Sequence, residues 1–143
     1  MNKTSILALA FAAAMSMSAQ AATVEPTVAV GVASVTGSSV LSPLVEGGLK
    51  VSTDKITGTV GLGSLKTPDW ASGTINYGVL STSYRLDNDI AFGAGSFVRV
   101  VNGEYSYRPF VQATGSVGKY DAVVRVAASR NEDVLQLAIA RKF

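Results

Sequence analysis

The chain has no cysteine and no histidine among its 143 residues, a single tryptophan, and only 15% charged residues. Without cysteine there are no disulfides, no thiol chemistry and no thiolate metal sites, so something other than cross-links must stabilise the fold. Without histidine, the commonest general base and the commonest transition-metal ligand are both missing. Twelve Lys and Arg stand against ten Asp and Glu. They are scattered in both signs, and no basic cluster points to nucleic acid. Long apolar runs are scarce too. The run from Ile6 to Met17 falls short of the ~20 residues a helix needs to cross a bilayer. It lies between Lys3 and Ala19-Gln20-Ala21, the charged end, apolar middle and small-x-small cleavage site of a secretory signal. Residues 1–21 are expected to be removed on export, and residues 22–143 to form one domain starting at Ala22.

What the remaining chain does contain is a series of segments of about ten residues with alternating character, separated by Gly, Asn, Asp, Ser and Pro clusters. Alternate side chains of a strand point to opposite faces, so each segment reads as a two-faced strand. Eight are predicted: 26–35, 43–52, 56–65, 73–86, 90–101, 107–117, 120–128 and 135–143. One phase is apolar, with Val28, Val30 and Val32, then Val45 and Leu49, Ile56, Val60 and Leu62, Ile90, Phe92 and Val98, Val111, and Val124 and Val126. The fourth segment changes phase: Ile75, Tyr77 and Val79 hold one, Leu80, Tyr84 and Leu86 the other. A β-bulge between Leu80 and Thr82 would return both sets to one face; without it Arg85 would point outward.

The last segment reads Leu135-Gln-Leu-Ala-Ile-Ala-Arg-Lys-Phe143, with Leu135, Leu137, Ile139 and Phe143 in one phase and no hydrophilic tail. A terminal apolar strand must close against another, since an open edge aggregates. This ending resembles that of bacterial outer-membrane β-barrel proteins, whose last strand ends on Phe after apolar residues at every second position. Arg141 departs from the pattern, standing where the family usually has an aromatic or aliphatic residue, and suits it only if its head snorkels to the interface.

The resemblance is to small barrels of the OmpA-like and OmpX-like type. It implies an all-β fold: an eight-stranded antiparallel up-and-down transmembrane β-barrel following a cleaved signal peptide, in the outer membrane of a Gram-negative bacterium. It also implies that Leu135, Leu137, Ile139 and Phe143 serve as a C-terminal insertion signal. Expected partners are outer-membrane lipid and, during biogenesis, periplasmic chaperones and the barrel-assembly machinery; a surface ligand is unknown, and no nucleic acid or cofactor is expected. Tight turns would follow the second, fourth and sixth strands on the periplasmic side. Slightly longer connections (36–42, 66–72, 102–106 and 129–133) would face outward, and any contact with a surface ligand would fall to 66–73 or 129–133.

If the apolar phase meets lipid, the other phase lines a lumen only just wide enough for side chains. There, Gly61, Gly63, Gly93 and Gly95 would make room for arginines on other strands. Glu46, Lys50, Arg99, Arg108, Gln112 and Arg125 are expected to form a polar network completed by water or threonines, because buried charges must be paired. Trp70, Tyr105 and Tyr107 would form an interfacial girdle at the outer side. Tyr84, Phe92 and Tyr120, with Phe143, would form one at the periplasmic side.

No catalytic set is visible. Histidine-dependent acyl hydrolysis is excluded, no serine lies in a G-x-S-x-G turn, and Asp87-Asn-Asp89 reads as a turn rather than a calcium loop. The expectation is a structural or surface-interaction barrel with no open pore and no catalysis. The alternative is a soluble exported lipocalin-like barrel with the apolar phase inward, binding a small apolar ligand in the periplasm.

Overall fold

Alternation of small or polar with branched apolar residues leaves these segments no helical stripe to bury, and among the residues described by the computed structural model every regular element is a strand. The structure describes residues 23–35, 41–66, 73–87, 89–128 and 133–143. The expected signal segment and Trp70 lie outside these, as do most residues of the connections expected at 36–42, 66–72 and 129–133. The strands are β1 (Thr23–Val35), β2 (Ser42–Ser52), β3 (Ile56–Lys66), β4 (Thr74–Arg85), β5 (Ile90–Val101), β6 (Glu104–Val117), β7 (Tyr120–Ala128) and β8 (Asp133–Lys142). Each pairs antiparallel with its neighbours in chain order, and β8 pairs back onto β1, giving a closed eight-stranded barrel. No edge is left along the closed wall, which replaces the cross-links the composition lacks.

Register fixes the tilt. Following cross-strand partners from Glu25 to Lys50, Thr59, Ser81, Gly95, Phe110, Ala127 and Val134 leads back to β1 at Val35, ten residues beyond the start. Strands can close with such a stagger only by tilting relative to the barrel axis. The connections after β2, β4 and β6 lie at the end that holds Thr23 and Phe143, here the near end; the others lie at the far end. At the near end the Thr53 N–H donates to the Ile56 carbonyl at 2.8 Å, and the Thr53 hydroxyl accepts from the Ile56 N–H at 3.2 Å. The β6–β7 turn is Gly118-Lys119, with Gly118 at φ 60°, as a two-residue hairpin with glycine first requires.

Three expectations are corrected here. The connection expected over 102–106 is only Asn102-Gly103, at φ 52° and 78°. This is the paired left-handed geometry that Asn-Gly favours in a tight hairpin, so Tyr105 and Tyr107 lie within β6. No bulge interrupts β4, whose register with β3 runs unbroken from Tyr84 to Thr74 and with β5 from Arg85 to Gly78. Tyr77 and Val79 therefore face the lumen and are buried, while Leu80, Tyr84 and Leu86 take the outer phase. Arg85 shares the phase of Tyr77 and lines the lumen instead of pointing outward.

Apolar side chains of the other phase face out: Leu62 is 76% exposed, Val111 62%, and Val30, Phe92 and Ile139 more than half. The barrel turns large apolar side chains outward and encloses Glu46, Asp121 and Arg125, the reverse of what a soluble lipocalin-like carrier needs.

Candidate functional site

The lumen is built in two tiers. Toward the far end, Leu44, Leu65, Phe97, Phe110, Ala33, Ala127 and Val134 are all buried. The Phe97 ring meets Tyr77 edge-on at 5.4 Å between centroids and Phe110 at 4.5 Å. Glycine makes this possible. A Cβ on Gly63 would lie 2.5 Å from the ring of its cross-strand partner Tyr77, and one on Gly95 2.5 Å from the ring of its partner Phe110. Gly63 and Gly95 therefore make room for aromatic rings rather than for the arginines expected there.

Below these rings lies Arg125, with its guanidinium carbon 5.3 Å from the Phe110 centroid and 6.0 Å from that of Phe97. Its Nη1 donates to both carboxylate oxygens of Glu46, at 2.7 and 2.8 Å. Nε donates to Gln112 Oε1 at 3.2 Å, and Nη1 also reaches Gln136 Oε1 at 3.4 Å. The Tyr77 hydroxyl donates to Glu46 at 2.8 Å. Gln112 Nε2 donates to Ser83 at 2.6 Å and Ser81 at 3.3 Å. Among the described residues no buried side-chain nitrogen or oxygen lacks a partner. That satisfaction is what allows an ion pair to sit in a lumen where Arg125 and Glu46 are only 6% and 8% exposed.

The second tier lies nearer the chain ends. Asp121 Oδ2 accepts from Lys50 Nζ at 2.7 Å, while its Oδ1 accepts from the Ser116 hydroxyl at 2.7 Å and lies 3.6 Å from Lys142 Nζ. Between and below the tiers runs a cavity of about 70 Å³ lined by Thr27, Thr59, Gly61, Thr114 and Arg85 among others. A space of that size, with hydroxyls and charges in its lining, can hold a few waters.

Of the six residues expected in the lumen network, Glu46, Gln112 and Arg125 are brought together directly, and Lys50 belongs to the Asp121 tier. Arg99 is exposed, a correction. Its strand pairs with β4 only as far as Val98↔Gly78, so Arg99 lies beyond the closed wall on a ribbon where β5 and β6 pair with each other. Arg108, in register with Phe97, is half-buried toward the far end. The expected threonines are replaced by Ser81 and Ser83.

Asp121, Tyr77, Gln136 and Lys142 were not among the expected network residues. Asp121 carried a usable signal, since it shares Arg125's phase four residues earlier on β7; Tyr77 carried none, because lumen-facing and outward-facing rings look alike in sequence. Among the described residues no three Asp or Glu side chains converge to hold a metal.

On the outside, Leu135, Leu137, Ile139 and Phe143 form an exposed apolar row along β8. Tyr84 and Phe92 are cross-strand partners near the near end, where Tyr120 also lies, and Tyr105 and Tyr107 sit at the far end with ring centroids 6.5 Å apart.

No protein-family model matches the chain, and no curated protein does. Among solved structures it is similar to a de novo designed barrel, TMB2.3, at TM-score 0.59 and 14% identity over 83% of this chain and 94% of the other. It is similar to another barrel from a de novo design of transmembrane β-barrels at TM-score 0.58 and 15% identity, over 83% and 95%. It also aligns with neisserial surface protein A at TM-score 0.48 and 14% identity, over 87% and 100%. The designed barrels share its fold.

Proposed function

We propose that this chain is a small outer-membrane β-barrel of a Gram-negative bacterium, akin to OmpA-like and OmpX-like transmembrane domains, with a structural or surface-interaction role. One observation carries the reading. On the outward phase of the eight strands the charged residues are Lys66, Asp133 and Arg141, each at or next to a strand end, whereas Glu46, Asp121, Lys50 and Arg125 are enclosed. Arg or Lys at mid-bilayer on the lipid side of a barrel costs about 2–4 kcal/mol, falling toward zero at the interfaces, so this distribution suits hydrocarbon around the middle of the wall. One of the designed barrels that share the fold comes from a design of transmembrane β-barrels, in keeping with this.

The tier of rings over the Glu46–Arg125 pair leaves little room for a passage, which favours a closed barrel over a pore. Ser81 and Ser83 are held by Gln112, and the carboxylate beside Ser116, that of Asp121, is already engaged by Lys50 and Lys142, which favours a role without catalysis. The Asn102-Gly103 ribbon, with Val100, Tyr105 and Tyr107 exposed, is the described part best placed for surface contact. Lipid would be the standing partner, with chaperones and the assembly machinery acting only during insertion.

Cell fractionation with a heat-modifiability gel tests the reading: a membrane-bound protein with a fast-migrating unheated band is expected, and release by osmotic shock without such a band would refute it. Spin labels at Val124, on the outward phase, and at Val123, which lines the cavity, sharpen the result. Oxygen should relax the first, and a water-borne reagent should reach the second more than the first.

A further inference from the structure

Arg141 is the one charge on the outward phase of the near half among the described strand residues, and it breaks the apolar ending of β8. Its guanidinium carbon lies 5.0 Å from the centroid of the Phe143 ring. Its cross-strand partners are Tyr120 on one side and Val28 on the other. The ladder continues past it, since the Lys142 N–H donates to the Lys119 carbonyl at 3.0 Å and the Phe143 N–H to the Pro26 carbonyl at 3.1 Å. Lys119, Tyr120, Arg141 and Phe143 are all exposed and are held together at one edge of the apolar belt.

Around them the outward phase of β7, β8 and β1 presents Ala122, Ile139, Val24, Pro26 and Val28, with no acid. The acid nearest in sequence, Asp121, is turned into the lumen and engaged there by Lys50, Lys142 and Ser116.

We propose that Lys119, Tyr120, Arg141 and Phe143 form a seat for the headgroup phosphate of an anionic phospholipid, an inference that rests on the membrane reading above. Charge complementarity and position select the occupant. Two cations with no acidic side chain beside them attract an anion, and the guanidinium fork matches phosphate oxygens. The phenol of Tyr120 adds a donor at the depth where amphipathic rings collect. Free phosphate would gain nothing from the apolar rim, whereas acyl chains lying along Ile139 and Val28 would. The ring of Phe143 holds the guanidinium at the belt edge, and that is how the departing residue fits the strand ending.

The test uses the full mature chain refolded in neutral maltoside micelles, with phosphatidylglycerol titrated in and bound lipids counted by native mass spectrometry. Wild type should retain one lipid about tenfold more tightly than Arg141→Gln, with Arg141→Lys between them, the loss expected for one charge-assisted fork. Heat-shifted bands establish that each variant is folded, and Arg141→Lys decides the matter should Arg141→Gln fail to fold. Equal retention by folded wild type and variants would overturn the seat alone, as would displacement of the lipid by millimolar inorganic phosphate. A wild-type chain that never enters micelles would overturn the outer-membrane reading together with it.

Discussion

The two halves of the lumen solve the same problem differently. Toward the far end, space is filled by rings and aliphatic groups, and two glycines opposite Tyr77 and Phe110 leave room for those rings inside the bore. Toward the near end, space is left open and lined by hydroxyls and paired charges. The Glu46–Arg125 pair stands at the boundary, with aromatic faces above it and the cavity below. The difference teaches where charge is expensive. An ion pair under rings needs every bond it makes, while one beside water has a substitute at hand.

The largest effect should come from breaking the boundary. Glu46→Lys places two cations beneath the rings and should lower stability by about 3–5 kcal/mol, seen as a lower urea midpoint of the folded barrel; an unchanged midpoint would erase the distinction between the halves. A smaller effect should follow in the packed half. Gly95→Val pushes a side chain into the Phe110 ring and should cost roughly 1–3 kcal/mol. Gly47→Ala, whose Cβ would meet nothing within 4 Å, should leave the same urea curve nearly in place. Of the three disruptive changes, the smallest effect belongs to the open half. Asp121→Asn leaves Lys50 and Lys142 beside the cavity, where water takes over their hydrogen bonds. It should cost about 1 kcal/mol, and a loss as large as that of Glu46→Lys would show that the cavity is dry.

Much of this was legible in the alternation of residues. Period-two patterning locates all eight strands to within a few residues, because a strand with one face in contact with hydrocarbon and one in a narrow lumen has little freedom to vary. It also separates the faces, which brings Glu46, Gln112 and Arg125 to the same side. What patterning does not carry is register. Arg99 has the right phase for the lumen, yet pairing between β4 and β5 stops one residue before it. Patterning is equally blind where both faces are apolar. Ile75, Tyr77 and Val79 looked like an outward row and invited a bulge that is not there, because the ring tier of the lumen uses the same residue types as the outer belt. The Asn102-Gly103 turn is legible as the Asn-Gly hairpin signal, and Asp121 by sharing the phase of Arg125.

Closure of β8 onto β1 joins residues 99 to 115 positions apart, from Val35 with Val134 to Thr27 with Lys142. Hairpins of neighbouring strands can form from short loops, but this last seam is a non-local event, and such contacts are slow to form. Until the seam zips, β1 and β8 each present a bare row of amides and carbonyls. The half-made molecule is thus the species in need of custody, and its vulnerability ends only when the final strand arrives.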